Sequence, residues 1–176
     1  MSLTMHSASV PIFVRMLGNL ITWLDKAEAH AAAKKFEPAV LLAARLAPDM
    51  LPFPQQIQIA CDAAKFCVAR LAGVEGPPFA DDEKTLGDLR RRVMKTIDYV
   101  QSVPADKING SDAREISVPR RAGALTMTGE TYLKHFAMPN FYFHVTTTYA
   151  LLRHNGVELG KTDYLGTMLP PGATAA

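Results

Sequence analysis

The spacing of apolar residues changes several times along this chain. Over residues 9 to 32, Phe13, Met16, Leu17, Leu20, Leu24 and Ala27 recur at intervals of three and four, the period of one face of an α-helix. Ser9 ahead of Pro11 is placed to cap its start. Between Lys34 and Pro54 the pattern loosens: Pro38, Pro48, Asp49, Pro52 and Pro54 leave room for a short helical piece around Val40 to Leu46 and an irregular entry after it. A second helix is predicted from Pro54 to Leu71, with a seam of Ile57, Cys61, Ala64, Val68 and Leu71 and with Gly73 placed to end it. Val74 to Lys84 reads as a loop, after which Thr85 and Asp88 make a capping box. They open a third helix that runs to about Ser102, with Leu86, Leu89, Val93, Ile97 and Val100 inward. Pro104 to Ser111 is a polar connector, and beyond it the period drops to two. Ile116 and Val118, a turn at Arg120 to Gly123, then Leu125 and Met127 predict a small β-hairpin, edge-like because of Pro119. A fourth helical stretch starts near Thr128 and ends at Asn155 and Gly156, with a kink expected at Pro139.

Four long amphipathic helices predict a mainly all-α fold, a four-helix bundle with a long first connector and a small hairpin before the last helix. A length of 176 residues suits one domain, taken as residues 1–166, with a flexible tail over 167–176 that frays from Pro170. Apolar residues at 48% and charged residues at 20% exclude a disordered chain. With 19 basic and 17 acidic side chains the charge is too balanced to argue for a nucleic-acid or membrane partner. No stretch approaches the roughly 18 uninterrupted apolar residues of a membrane span, and no secretory signal is visible. Cys61 and Cys67 lie about 240° apart around one helix and roughly 9 Å apart along it, so they do not pair with each other. Two unpaired cysteines fit the reducing cytoplasm and exclude a disulfide framework or a four-thiolate zinc site.

Two stretches are distinctive: Pro139-Asn-Phe-Tyr-Phe-His-Val-Thr-Thr-Thr-Tyr-Ala-Leu-Leu-Arg-His-Asn-Gly156 and Ala44-Arg-Leu-Ala-Pro-Asp-Met50. With Tyr132-Leu133 and Asp163-Tyr-Leu-Gly166, they make residues 5 to 166 resemble a bacterial domain-of-unknown-function family of the DinB-like (YfiT-like) four-helix-bundle superfamily. The resemblance implies a DinB-like bundle. In that superfamily a metal is held by three histidines, one on the second helix and two spaced H-x-x-x-H on the fourth, and members include thiol S-transferases and metal-dependent hydrolases. Residues four apart share a helix face, so two imidazoles converge on one ion while the third arrives across the bundle. His144 resembles the second histidine of the pair, because it leads into the same Leu-Arg-x-x-Gly ending. Four residues before it stands Asn140, and the second helix carries no histidine; Gln58 and Asp62 are its nearest polar candidates. One imidazole with amides is a poor zinc or nickel site, so no cofactor is predicted and a divalent metal is disfavoured.

Gln58, Asp62, Asn140 and His144 are therefore the candidate site. Phe136, Thr147 and Leu151 share the stripe of Asn140 and His144, so a hydrogen-bonded polar layer inside the bundle is the first expectation. The polar handles of a small-ligand pocket come second, and a residual metal site third. His135 precedes His144 by nine residues, about 180° around an unbroken helix, and is expected on the other side, half-buried or at an interface. His154 in the last turn suits the helix dipole. Arg90, Arg91 and Arg92 read as a solvated face, and Asp81, Asp82 and Glu83 lack the spacing of a calcium loop. There is no glycine-rich phosphate loop and no G-x-S-x-G elbow; Lys65, four residues after Cys61, is the one hint of an activated thiol. Phe136, Phe141, Tyr142, Phe143 and Tyr149 surround the fourth helix with aromatics, which calls for cover by the hairpin and first connector or for a homodimer interface. The resemblance also favours dimers formed through helix faces. The resulting expectation is a dimeric bundle protein with a polar layer or small-ligand pocket around Asn140 and His144. The alternative is a metal-dependent enzyme related to the thiol S-transferases or hydrolases, with an altered ligand set.

Overall fold

In a computed structural model that describes residues 3–120 and 123–166, the apolar periods become a bundle of four long helices. These are α1 (Val10–Lys34), α3 (Phe53–Ala72), α4 (Leu86–Ser102) and α7 (Met138–His154). Short pieces join them: α2 (Ala39–Leu42), α5 (Ala105–Ile108), strands β1 (Glu115–Val118) and β2 (Leu125–Thr128), α6 (Gly129–Tyr132) and, last, α8 (Lys161–Leu165). The one-turn helices α5 and α8 are too short to leave a periodic signal, and both fall in segments without one. The expected tail, residues 167–176, lies outside the described residues.

Around the bundle the order is α1, α4, α3, α7 and back to α1. Helices α1 and α3 thus sit across a diagonal, as do α4 and α7, and this geometry accounts for the two long connectors. A short loop joins neighbours only; the chain needs residues 35–52 to cross from α1 to α3, and the hairpin segment to cross from α4 to α7. In the core, Phe13 meets Phe141 edge to face at 4.8 Å between centroids. Trp23 packs against Tyr149 and stacks on Tyr164. The Trp23 indole donates to the carbonyl of Asp163 at 3.1 Å, the Asn19 amide donates to that of Tyr164 at 2.8 Å, and Lys26 pairs with Asp163 at 2.7 Å. Helix α8 is in this way fastened to α1.

Helix ends follow local chemistry. Gly73 closes α3 at φ 70°, in the left-handed region that a side chain disfavours. The Thr85 hydroxyl caps α4 by accepting from the amide of Asp88 at 3.0 Å, and the Asp88 carboxylate returns to the amide of Lys84 at 3.1 Å, one residue before the expected partner. Ser9 holds the N-cap position of α1 but does not cap it with its side chain: its hydroxyl donates backwards to the carbonyl of Met5 at 2.7 Å. The predicted hairpin forms in antiparallel register, Glu115 opposite Thr128 and Val118 opposite Leu125. Its inner face is Ile116 and Val118; Met127 is only half-buried and Leu125 is exposed, as befits an edge strand.

The kink predicted at Pro139 is resolved differently. Residues Leu133–Ala137 form a π-helical turn, so the backbone widens just before the proline instead of breaking at it. Pro139 then occupies the first turn of α7, where a missing amide hydrogen costs little.

The base of the hairpin leaves no room for a side chain at Gly129. Its amide donates to the carbonyl of Arg114 at 2.7 Å, and a Cβ there would collide with the carbonyl oxygen of Ser111. Gly129→Ala is expected to lower stability by about 1–3 kcal/mol through overpacking. Gly18→Ala, mid-helix with open space around the new methyl, should raise it by up to about 1 kcal/mol. Urea denaturation of both variants checks the ordering.

A groove between two helices and a polar layer beside it

His144 and Asn140 share one side of α7 but enter different surroundings. His144 is buried, and its Nδ1 lies 2.7 Å from Gln56 Oε1. The Gln56 amide nitrogen donates to the carbonyl of Leu51 at 2.9 Å, which fixes the Gln56 oxygen as acceptor and therefore Nδ1–H as donor. Burial holds the imidazole pKa below its ordinary value. The polar layer expected of His144 exists, but Gln56 supplies it and neither Gln58 nor Asp62 takes part. Both Gln58 and Gln56 sit in the first turns of α3, and the seam pattern does not say which glutamine turns toward α7.

Gln58 instead donates to Glu83 at 2.7 Å, on the opposite flank of α3. Asp62 joins the same charged seam between α3 and α4. Its Oδ1 accepts from Lys65 at 2.8 Å and from Arg92 at 3.1 Å. Arg92 also reaches Asp81 at 2.8 Å, Glu83 at 3.0 Å and the carbonyl of Ala80 at 2.9 Å. The side chains of Arg92 and Lys65 are 2% and 1% exposed. The solvated face expected of Arg90, Arg91 and Arg92 is thus corrected. Only Arg91 faces solvent, paired with Asp88; Arg90 reaches across to Asp25 and Glu28 on α1. A run of three arginines on a helix points in three directions about 100° apart, so one of them must meet the core side. Phe79 completes the seam, with Lys65 at 4.2 Å and Lys95 at 4.1 Å from its ring centroid. Burial alone would raise the Glu83 pKa, but hydrogen bonds from Gln58 and Arg92 outweigh it and hold the carboxyl below its usual range.

Lys65 turns to Asp62 and the rings, and does not activate Cys61. Burial pushes that thiol up to about 11, and burial also raises Cys67. Neither is a nucleophile near neutral pH.

Asn140 lines a groove between α3 and the α6–α7 segment, a cavity of about 120 Å³. Its walls form three rungs. Asp62, Phe66 and Arg70 follow at four-residue steps on α3; Asn140, Phe136 and Tyr132 follow in reverse on the antiparallel partner. The Arg70 guanidinium donates to the Tyr132 hydroxyl at 2.9 Å at one end, while Asp62 and Asn140 line the other. Among the described residues the Asn140 side chain has no hydrogen-bond partner. Of the four sequence candidates, the structure brings Asp62 and Asn140 to one groove and sends Gln58 and His144 elsewhere. Arg70 and Tyr132 were missed; their four-residue spacing from Phe66 and Phe136 is the signal that could have found them. His135 is exposed rather than half-buried in the single chain.

The donor set does not fit the superfamily's metal. His144 is one imidazole already bound to an amide, Asn140 is an amide, and among the described residues no group of three or more His, Cys, Asp or Glu could hold a metal ion.

Residues 5–165 match a family described as a domain of unknown function (DUF1993). The crystal structure of a DinB family member protein from Shewanella denitrificans is 41% identical, with a TM-score of 0.86, and the match covers 97% of this chain and 95% of that one. Among curated proteins nothing matches. No helix among the described residues is long and apolar enough to cross a membrane.

Replacing His144 by Ala should cost about 1–3 kcal/mol for the stranded Gln56 oxygen, plus a cavity penalty, and His144→Gln should recover part of it. The lowered imidazole pKa means that the unfolded chain binds the extra proton first. Its contribution is complete above about pH 6.5, the ordinary imidazole value, and is lost as the pH falls below it. Urea titrations at several pH values check both points; the His144→Gln variant should lack that part of the acid weakening.

Proposed function

Since the chain belongs to the DUF1993 family, we propose, from its own residues, that it is a helical-bundle protein that binds a small ligand in the α3–α7 groove without a three-histidine metal centre. The observation that carries this reading is the division of labour on α7. His144 is committed to Gln56, while Asn140, one turn earlier, presents an unpartnered amide to a groove whose facing residue is Asp62. A buried polar layer stabilises a bundle, whereas the half-buried Asn140 amide in a concave, aromatic-walled groove has its hydrogen-bonding groups open to a ligand. Two unpaired, buried cysteines support a reducing compartment, the cytoplasm. Metal analysis of protein purified without a histidine tag should give far less than one equivalent. Near-stoichiometric zinc, nickel or iron that disappears in His144→Ala would replace this reading by the metal-dependent enzyme. Benzamide, a neutral planar probe, should shift the amide resonances of Asp62, Phe66 and Asn140; Ala63 also lines the groove, and Ala63→Leu, which fills it, should abolish the shifts.

A homodimer is part of the same reading. Of the aromatics around α7, Phe141 is buried and Phe136 and Tyr149 are half-buried; Tyr142 and, at 56%, Phe143 are exposed on adjoining faces. A second copy of the chain is the partner proposed for those faces. Light scattering is expected to give a particle of about twice 19.2 kDa, and Phe143→Ser to give the monomer; a wild-type monomer at micromolar concentration removes the dimer.

A further inference from the structure

The Arg70 end of the groove carries more than a free amide does. Arg70 is half-buried, with its guanidinium carbon 5.2 Å from the Phe66 ring centroid and 5.7 Å from that of Tyr132. Its NH1 donates to the Tyr132 hydroxyl at 2.9 Å. Among the described residues it forms no ion pair, whereas each of the three arginines on α4 does. A guanidinium held in place by the Phe66 ring and by the ring and hydroxyl of Tyr132, and left without a carboxylate, has its remaining N–H edge ready for a planar anion. Tyr132 adds a second donor. Tyr132 is buried in the groove wall; burial raises its pKa to about 12, so the phenol stays protonated, and while its oxygen accepts from Arg70 its own hydrogen has no acceptor among the described residues. A further cation stands nearby, because Arg120, at the end of the hairpin's first arm, lies 5.2 Å from the Phe136 centroid.

We propose that the groove takes a small carboxylate with a flat apolar body: its carboxylate on Arg70 and the Tyr132 hydroxyl, its body between Phe66 and Phe136, its far end at Asn140. This rests on the ligand-binding reading above and names the ligand's chemical class. At about 120 Å³ the groove is smaller than the roughly 150 Å³ enclosed cavity that admits benzene, but it is open along one side, so it can hold the ligand's ring while part of the ligand stays in solvent. Asp62 at the far end, already neutralised by Lys65 and Arg92, does not repel a ligand whose charge sits a helical turn or two away.

The test uses benzoate beside benzamide and benzylamine, three probes of one shape and three charges, titrated into the full-length chain and followed by amide resonances and calorimetry. Benzoate should bind about tenfold or more tighter than benzamide, and raised salt should reduce the difference. Arg70→Gln should abolish the preference while benzamide binding persists, Arg70→Lys should restore it in part, and Tyr132→Phe should weaken benzoate by a few fold. Persistence of benzamide binding also reports that the variants are folded and the groove intact. Benzamide or benzylamine bound as well as benzoate would overturn the carboxylate assignment and leave the groove as a ligand site. Failure of all three to bind would overturn both readings. A benzoate preference that survives in Arg70→Gln would place the anion elsewhere and overturn this assignment.

Discussion

Two cations sealed between α3 and α4 constrain much of the rest. Lys65 and Arg92 are almost without solvent, so their charges must be answered by protein groups. Asp62, Asp81 and Glu83 answer them, and the last two belong to the segment between the helices. That loop is therefore not a free connector: it is tied to α4 by Arg92 and to α3 by Gln58, with Phe79 laid against Lys65 and Lys95. Removing one member of a buried ion pair costs about 3–5 kcal/mol; here partial exposure of Asp62 and Asp81 lowers the figure. The seam also fixes Asp62, whose other side is part of the groove wall. Recognition on one flank of α3 is thus built on charge neutralisation on the other.

The bundle itself was legible. The boundaries of α1, α3 and α4 fall within a residue or two of the period-derived ones, because continuous apolar stripes, Pro11, Gly73 and Thr85 mark them. The hairpin was readable for the same reason, from Ile116 and Val118 alternating with polar neighbours. Less visible was which polar side chain meets which. Gln56 and Gln58 differ by two positions, about 200° around a helix, and only the helix's rotation in the assembled bundle selects the one that reaches His144. Arg92 was misread because local sequence shows a charge run, while burial is set by a segment about ten residues away.

The π-helical turn, Leu133–Ala137, lies between Tyr132 and Asn140 and contains Phe136, so it sets the relative rotation of these three groove-wall residues about the helix axis.

Trp23, the chain's only tryptophan, is fully buried between α1 and the carbonyl of Asp163, with Tyr164 stacked on it. Its emission is therefore an intrinsic optical signal that responds to the seating of α8. Detachment of that short helix would open the indole to water and redden the spectrum while the far-ultraviolet helical signal hardly changes. Loss of the whole bundle would move both together, so the two observables distinguish local opening from global unfolding without any added label.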